Sequence, residues 1–188
     1  MDPKVTFGRA FILFWKNYFN FKGRSRRSEY WFVQLWHLIF HIPAVIIYST
    51  SIVFFVLAYV SRENMFMATS LIMLICVGLY ATIYALVILI PQLALTARRF
   101  HDTNRTMFVP ILYVVVNIIG FIGYIVIGLY DSDLNSGWST SFVLVYAFIS
   151  FVIGIYQIVI ACFDSKVEKN KYGESPKFKN LKRHNEEI

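Results

Sequence analysis

Residues 30–60, 64–97, 106–130 and 134–163 contain no Asp, Glu, Lys or Arg, and each run is long enough to cross a bilayer. About 20 helical residues span roughly 30 Å of hydrocarbon. A charge at the centre of such a helix costs about 2.5 to 3.5 kcal/mol, so four charge-free runs in succession exclude an ordinary soluble domain. The overall balance agrees, with 57% hydrophobic and 15% charged residues, against roughly 45–50% and 25% in soluble domains. The chain is therefore expected to be all-α: a polytopic membrane protein with four transmembrane helices and an amphipathic N-terminal interfacial helix. It divides into a basic N-terminal segment (1–29), a four-span domain (30–163) and a basic tail (164–188).

Charge placement predicts the orientation. Lys4, Arg9, Lys16, Lys22, Arg24, Arg26 and Arg27 precede the first run, and Arg62 and Glu63 cancel in the first loop. Arg98, Arg99 and Arg105 outweigh Asp102 in the second loop, whereas the third has Asp131 and Asp133 and no base. Lys166, Lys169, Lys171, Lys177, Lys179, Lys182 and Arg183 crowd the tail. The positive-inside rule converts this alternation into two cytoplasmic termini and a cytoplasmic middle loop. The net charge of +7 is accounted for by basic flanks that attract anionic headgroups, and no nucleic acid is expected as a partner. Cys76 and Cys162 lie inside spans without metal-ligand spacing, so neither a disulfide nor a metal site is expected. Lys16 interrupts the first apolar run and no small-residue cleavage site follows, so no cleavable signal peptide is expected.

In residues 5–21, Phe7, Phe11, Phe14, Trp15 and Tyr18 share one side of a helix, opposite Arg9, Lys16 and Asn20. That pattern suits either a helix lying in the cytoplasmic interface or one whose aromatic face packs on the bundle. Tyr30, Trp31 and Trp36 open the first span as an aromatic belt, and Pro43 and Pro91 interrupt the two longest runs. Gly120, Gly123 and Gly128 mark the third run, and Ser150 with Gly154 make one small-residue step in the fourth. The tail is expected to be loosely ordered toward its end.

Three polar clusters fall on one predicted side of the membrane. The first is Gly23-Arg24-Ser25-Arg26-Arg27-Ser28-Glu29-Tyr30-Trp31; the second is Arg98-Arg99-Phe100-His101-Asp102-Thr103-Asn104-Arg105; the third is Asn170-Lys171-Tyr172-Gly173-Glu174-Ser175-Pro176. In these motifs, their order and their spacing, the chain resembles the bacterial domain-of-unknown-function 805 family, the YhaH-like small inner-membrane proteins. Members share G-R-x-x-R-x-E-Y-W before the first span, R-R-x-H-D-x-x-R between the second and third, and N-[KR]-Y-G-x-x-P after the last. The resemblance covers most of the chain. It departs where members often follow the second motif with a small residue, glycine and tryptophans, since this chain reads Thr106-Met107-Phe108. It implies a location in the bacterial inner (plasma) membrane and carries no established activity.

Arg24, Arg27, Arg98, Arg99 and Arg105, with Arg26, predict a cationic rim for anionic lipid headgroups or a protein partner, since arginine forks match phosphate. Glu29, His101 and Asp102 predict a structural polar network, with Glu29 paired to Arg98 or Arg99. Asp102 or Asn104 is a candidate cap for the start of the third span. His101 and Asp102 also invite an acid–base reading, but adjacent helical residues do not face each other and no nucleophile stands beside them. His37 and His41, four apart, suit a polar helix–helix contact better than a metal, because two ligands make no complete set. No cofactor motif is visible. The chain is expected to be a non-enzymatic membrane protein with a membrane-protein partner or a second copy as neighbour. An alternative expectation is a subunit of an oligomeric small transporter or channel, weakened by the lack of acidic residues inside the spans.

Overall fold

The computed structural model describes residues 5–131 and 133–178. Five helices run through them: α1 (Phe7–Lys16), α2 (Arg27–Ser61), α3 (Asn64–Asp102), α4 (Phe108–Tyr130) and α5 (Gly137–Cys162). The last four are long and apolar enough to cross a membrane, and each contains most of one charge-free run. Lys4, Lys179, Lys182 and Arg183 of the charge pattern lie outside the described residues.

The helices form two antiparallel hairpins, α2–α3 and α4–α5. With 35 and 39 residues, α2 and α3 are about 52 and 58 Å long and outreach the hydrocarbon. Arg62 closes α2 in the left-handed conformation (φ 56°), and its N–H bonds the Ala58 carbonyl 2.9 Å away. In the second hairpin, α4 presents Gly120 and Gly123 to the rings of Tyr146 and Phe142. A Cβ at either glycine would overlap ring atoms, so these rings fit only against bare backbone. A Cβ at Gly154 would meet nothing within 4 Å, so among the described residues no helix approaches Gly154 closely.

Most side chains in the middle of the spans face outward and are apolar, as lipid-facing surfaces must be. The buried core sits instead at the basic end of the bundle, where Ala10, Phe14, Tyr30, Val33, Leu95 and Ala161 cluster. There the final turns of α3 are wrapped by α1, the start of α2 and the segment after α5.

The aromatic face of α1 packs on the bundle. Phe7 stacks on Trp36 at 4.4 Å, Phe14 meets His37 edge-on at 5.3 Å, and Trp36 Nε1 donates to the Phe7 carbonyl at 3.1 Å. Arg9, Ile12 and Lys16, spaced three and four apart, remain exposed on the outer side. After α1, the Tyr18 hydroxyl donates to the Val87 carbonyl at 2.8 Å. Val87 stands four residues before Pro91, which has no N–H to offer it, so Tyr18 replaces the missing helical donor.

Candidate functional site

The three polar motifs, separated by up to about 149 residues along the chain, fold into one junction at the basic end. Its residues are placed by helix ends. The last carbonyls of any helix lack intrahelical partners and carry partial negative charge. Three arginines supply the donors, each at a different helix end. Arg98 Nη1 reaches the carbonyls of Asn17 and Asn20 just past α1, at 3.3 and 3.0 Å. Arg99 Nε donates to the Ala161 carbonyl at 3.2 Å, and its Nη2 to the Phe163 carbonyl, at the end of α5. Arg24 Nη2 donates to the backbone carbonyl of Asp102 at 3.2 Å, closing α3.

Asp102 is the counterion at the centre. Its Oδ1 accepts from Arg24 Nε at 2.8 Å, and its Oδ2 from Arg99 Nη1 and Ser165 Oγ, both at 2.5 Å. The side chains of Arg24, Arg99 and Asp102 are only 1, 0 and 0% exposed, so this is an interior charge cluster. Arg24 also binds the tail through the carbonyls of Lys166, Glu168 and Gly173. A single side chain from the first motif thus holds both the second and the third.

The third motif is shaped to meet it. Asn170 and Gly173 exchange backbone hydrogen bonds, and Tyr172 N–H donates to Asn170 Oδ1 at 2.9 Å. Gly173 takes φ +115° and Gly23 φ +85°, conformations that residues with a Cβ rarely adopt, so both motif glycines are required by backbone shape. Asn170 Nδ2 then donates to the His101 carbonyl at 2.8 Å. Tyr172 stacks on the His101 ring, with centroids 3.6 Å apart and planes within 7°, while His101 Nδ1 bonds the Gly23 carbonyl at 3.2 Å.

Several expectations change in this geometry. Of the five arginines assigned to an exposed rim, Arg24, Arg98 and Arg99 are buried, with donors turned toward protein acceptors. Arg27 is exposed, and Arg105 is half-buried against α5, its Nη1 2.6 Å from the Tyr156 hydroxyl and its guanidinium 5.8 Å from the Tyr156 and Phe163 ring centres. Glu29 pairs with Arg98 at 3.5 Å, whereas Arg99 is taken by Asp102. Asp102 does not cap α4: it points inward from the end of α3, and α4 begins after Met107 with no side-chain cap from Asp102 or Asn104. His101 and Asp102 do not form a dyad, since the ring faces Tyr172 and Gly23 while the carboxylate faces the two arginines. His37 bridges α2 to α3 through the Tyr84 hydroxyl (2.6 Å) and Gln92 Oε1 (3.1 Å), and His41 Nδ1 turns back to the His37 carbonyl (2.6 Å). Both His37 ring nitrogens are therefore engaged in the helix–helix contact.

The tail is tied down from Ser165 to Gly173 by these bonds, and its end, where loose order is expected, lies outside the described residues. Ser165 and the carbonyls of Ala161, Phe163, Lys166 and Glu168 belong to the junction but carry no motif signature. The acidic loop makes its own smaller structure at the other end of the bundle, where Asp131 accepts hydrogen bonds from Asn135, Ser136 and Ser139 around the start of α5. Those hydrogen bonds, the Ser136 hydroxyl first, hold its carboxyl below the usual aspartate range.

The chain is similar to two inner-membrane proteins of Escherichia coli K12. It is 30% identical to inner membrane protein YhaH over 121 residues, covering 64% of this chain and 82% of the relative. It is 28% identical to inner membrane protein YhaI over 163 residues, covering 87% and 91%. No solved structure matches it. Residues 18–135, which contain the first two motifs, match the family model described as a protein of unknown function (DUF805), and the chain belongs to that family.

Proposed function

We propose that this protein is a non-enzymatic inner-membrane protein, with both termini cytoplasmic, whose basic end engages anionic lipid headgroups around a junction whose own arginines are turned inward. The observation that carries this reading is the sorting of the bases. Arg24, Arg98 and Arg99 are consumed inside, while Arg9, Lys16, Lys22, Arg27, Lys166, Lys169 and Lys171 are at least partly exposed at the same end. A base near an anionic leaflet contributes about 1 kcal/mol, so several acting together favour such headgroups strongly. Arg9 and Lys16 flank Ile12 on the outer face of α1, the pairing of cation and apolar side chain that suits an interfacial helix.

The test is native mass spectrometry of the detergent-purified protein titrated with anionic and zwitterionic phospholipids. Wild type should prefer the anionic lipid at least tenfold, and the variant Lys16→Gln/Lys22→Gln/Arg27→Gln/Lys171→Gln should lose that preference. Equal binding of both lipids by wild type would defeat the headgroup reading. A discrete protein retained through the same bases would replace lipid with a protein partner. Reporter fusions at each end check the orientation.

A further inference from the structure

The Asn170–Gly173 turn is a closed unit, made by its own backbone hydrogen bonds and by Tyr172 N–H on Asn170 Oδ1. Among the described residues, three polar or ring contacts hold it to the bundle. Arg24 Nη1 donates to the Gly173 carbonyl at 3.3 Å, Asn170 Nδ2 donates to the His101 carbonyl at 2.8 Å, and Tyr172 stacks on the His101 ring. Two of the three meet at His101, and the imidazole itself makes the stack.

One ring nitrogen is committed and the other is not. The Gly23 carbonyl can only accept, so His101 Nδ1 carries the proton of the neutral ring and Nε2 bears the lone pair. Among the described residues no hydrogen bond reaches Nε2, so a second proton would go there. The residue is 5% exposed and stands past residue 97, where the charge-free run ends, so the proton comes from water.

Every element packed around the ring opposes that proton. From the tail, the Lys171 ammonium stands 5.0 Å from the centre of the Tyr172 ring, itself 3.6 Å from the imidazole. A protonated His101 would be a second cation on one aromatic ring, within about 9 Å of the first, where a Debye length of about 10 Å at 0.1 M salt leaves them unscreened. The loop before α2 brings Arg24, and α3 itself brings Arg98 and Arg99, while Arg105 turns away to Tyr156. Asp102 is committed to Arg24, Arg99 and Ser165. Neither Glu168 nor Glu174 of the tail forms an ion pair with the ring among the described residues. Burial, the largest influence, holds the imidazole below the usual histidine range; the Gly23 carbonyl works against it and Lys171 adds to it.

We propose that His101 is a pH-responsive pin for the tail: neutral, it seats the Asn170–Gly173 turn, and protonated, it releases that turn from the end of α3. The ring is harder to protonate seated than free. Its contribution is therefore present above the free value of about 6.5 and is lost as pH falls through the lower seated value. Ser165 and the Lys166 N–H stay on Asp102, so the release is local. Acidification frees Lys171 and adds one positive charge to the basic end.

Hydrogen–deuterium exchange of the full chain in detergent, without added lipid, is measured from pH 7.5 to 5.5 and corrected for intrinsic exchange. In wild type the amides of residues 170–173 should lose protection at least threefold over this range, while those of α4 and α5 keep theirs. His101→Phe, which offers Tyr172 a ring and takes no proton, should show no such loss. Equal protection of the wild-type turn at both ends of the range, or a loss as large in His101→Phe, would overturn the proposal. If His101→Phe does not seat the turn at pH 7.5, the wild-type His101 imidazole resonance decides: it must titrate with the midpoint of the exchange loss, and separate midpoints overturn the proposal. With no anionic lipid present, the result is independent of the headgroup reading.

Discussion

Replacing Asp102 with asparagine should be among the most damaging isosteric changes in this chain. The carboxylate is the counterion of Arg24 at 2.8 Å and Arg99 at 2.5 Å, with all three side chains at most 1% exposed. A unit-charge pair at 2.8 Å attracts by about 6 kcal/mol at an effective dielectric of 20, and the cost of burying the ions offsets much of it. Removing one partner forfeits the attraction and leaves the burial cost, which in comparable interior clusters amounts to about 3 to 5 kcal/mol. Asparagine also turns amide hydrogens toward two guanidinium groups. The expected loss corresponds to roughly a 150- to 4,000-fold fall in the folded-to-unfolded ratio. Unfolding by sodium dodecyl sulfate in mixed micelles, followed by tryptophan fluorescence, measures it. Lys177→Gln is the internal control, because the Lys177–Asp164 pair at 2.5 Å is exposed by 28 and 62% and should contribute at most about 1 kcal/mol. Adding Arg24→Gln to Asp102→Asn should recover part of the loss, since one unpaired cation goes. An Asp102→Asn variant no less stable than Lys177→Gln would refute the view that Asp102 is the interior counterion shared by both arginines.

Tyr18→Phe should cost about 1 kcal/mol by leaving the Val87 carbonyl without its donor; in a Pro91→Ala background, where the helix regains its own N–H, the same denaturation titration should show that cost vanish. Gly120→Ala should destabilise by about 1 to 3 kcal/mol because the new methyl meets the Tyr146 ring, whereas Gly128→Ala, with nothing within 4 Å, should be neutral in thermal unfolding. Asp131 has a folded-state pKa below its unfolded one, so its stabilisation is fully present above the unfolded value and is lost as pH falls through the lower folded value. Wild type and Asp131→Asn should therefore differ at neutral pH and converge on acidification below about pH 4; a constant difference across the titration would contradict the hydrogen bonds drawn to that carboxylate.

The spans are legible because hydrocarbon tolerates no charge, and the four charge-free runs mark the helices closely. Arg98 and Arg99 show where that legibility stops. A base beside a span reads the same in sequence whether it faces headgroups or turns inward, and what turns these two inward is a set of backbone carbonyls. Carbonyls at the ends of α1, α3 and α5 have no sequence signature; only the fold brings them within reach. Asp102 offers a partial signal, as the lone acid among three arginines of its loop, yet its proximity to the start of the third span suggests a cap. Ser165 offers none. The amphipathic pattern of α1 is clear, but aromatic rings that suit a membrane interface suit Trp36 and His37 equally well. Glu29 and Arg98 fall within the expected pairing, and the geometry selects between the two candidates by committing Arg99 to Asp102.

Arg24 joins residue 102 and residues 166–173, so the junction ties a segment made before the first span to one made after the last. While the first three spans are being made, Arg24 and Arg99 have Asp102 between them but none of the carbonyls that lie beyond α5. Those acceptors arrive only when the last span is in place and the chain behind it emerges. A chain that stops short of residue 166 can still join its hairpins through Arg99 and Ser165, but leaves Arg24 without its carbonyls behind the last span. Assembly of the basic end is in this sense a signal that all four spans are made, passed from the segment behind the last span to the segment before the first.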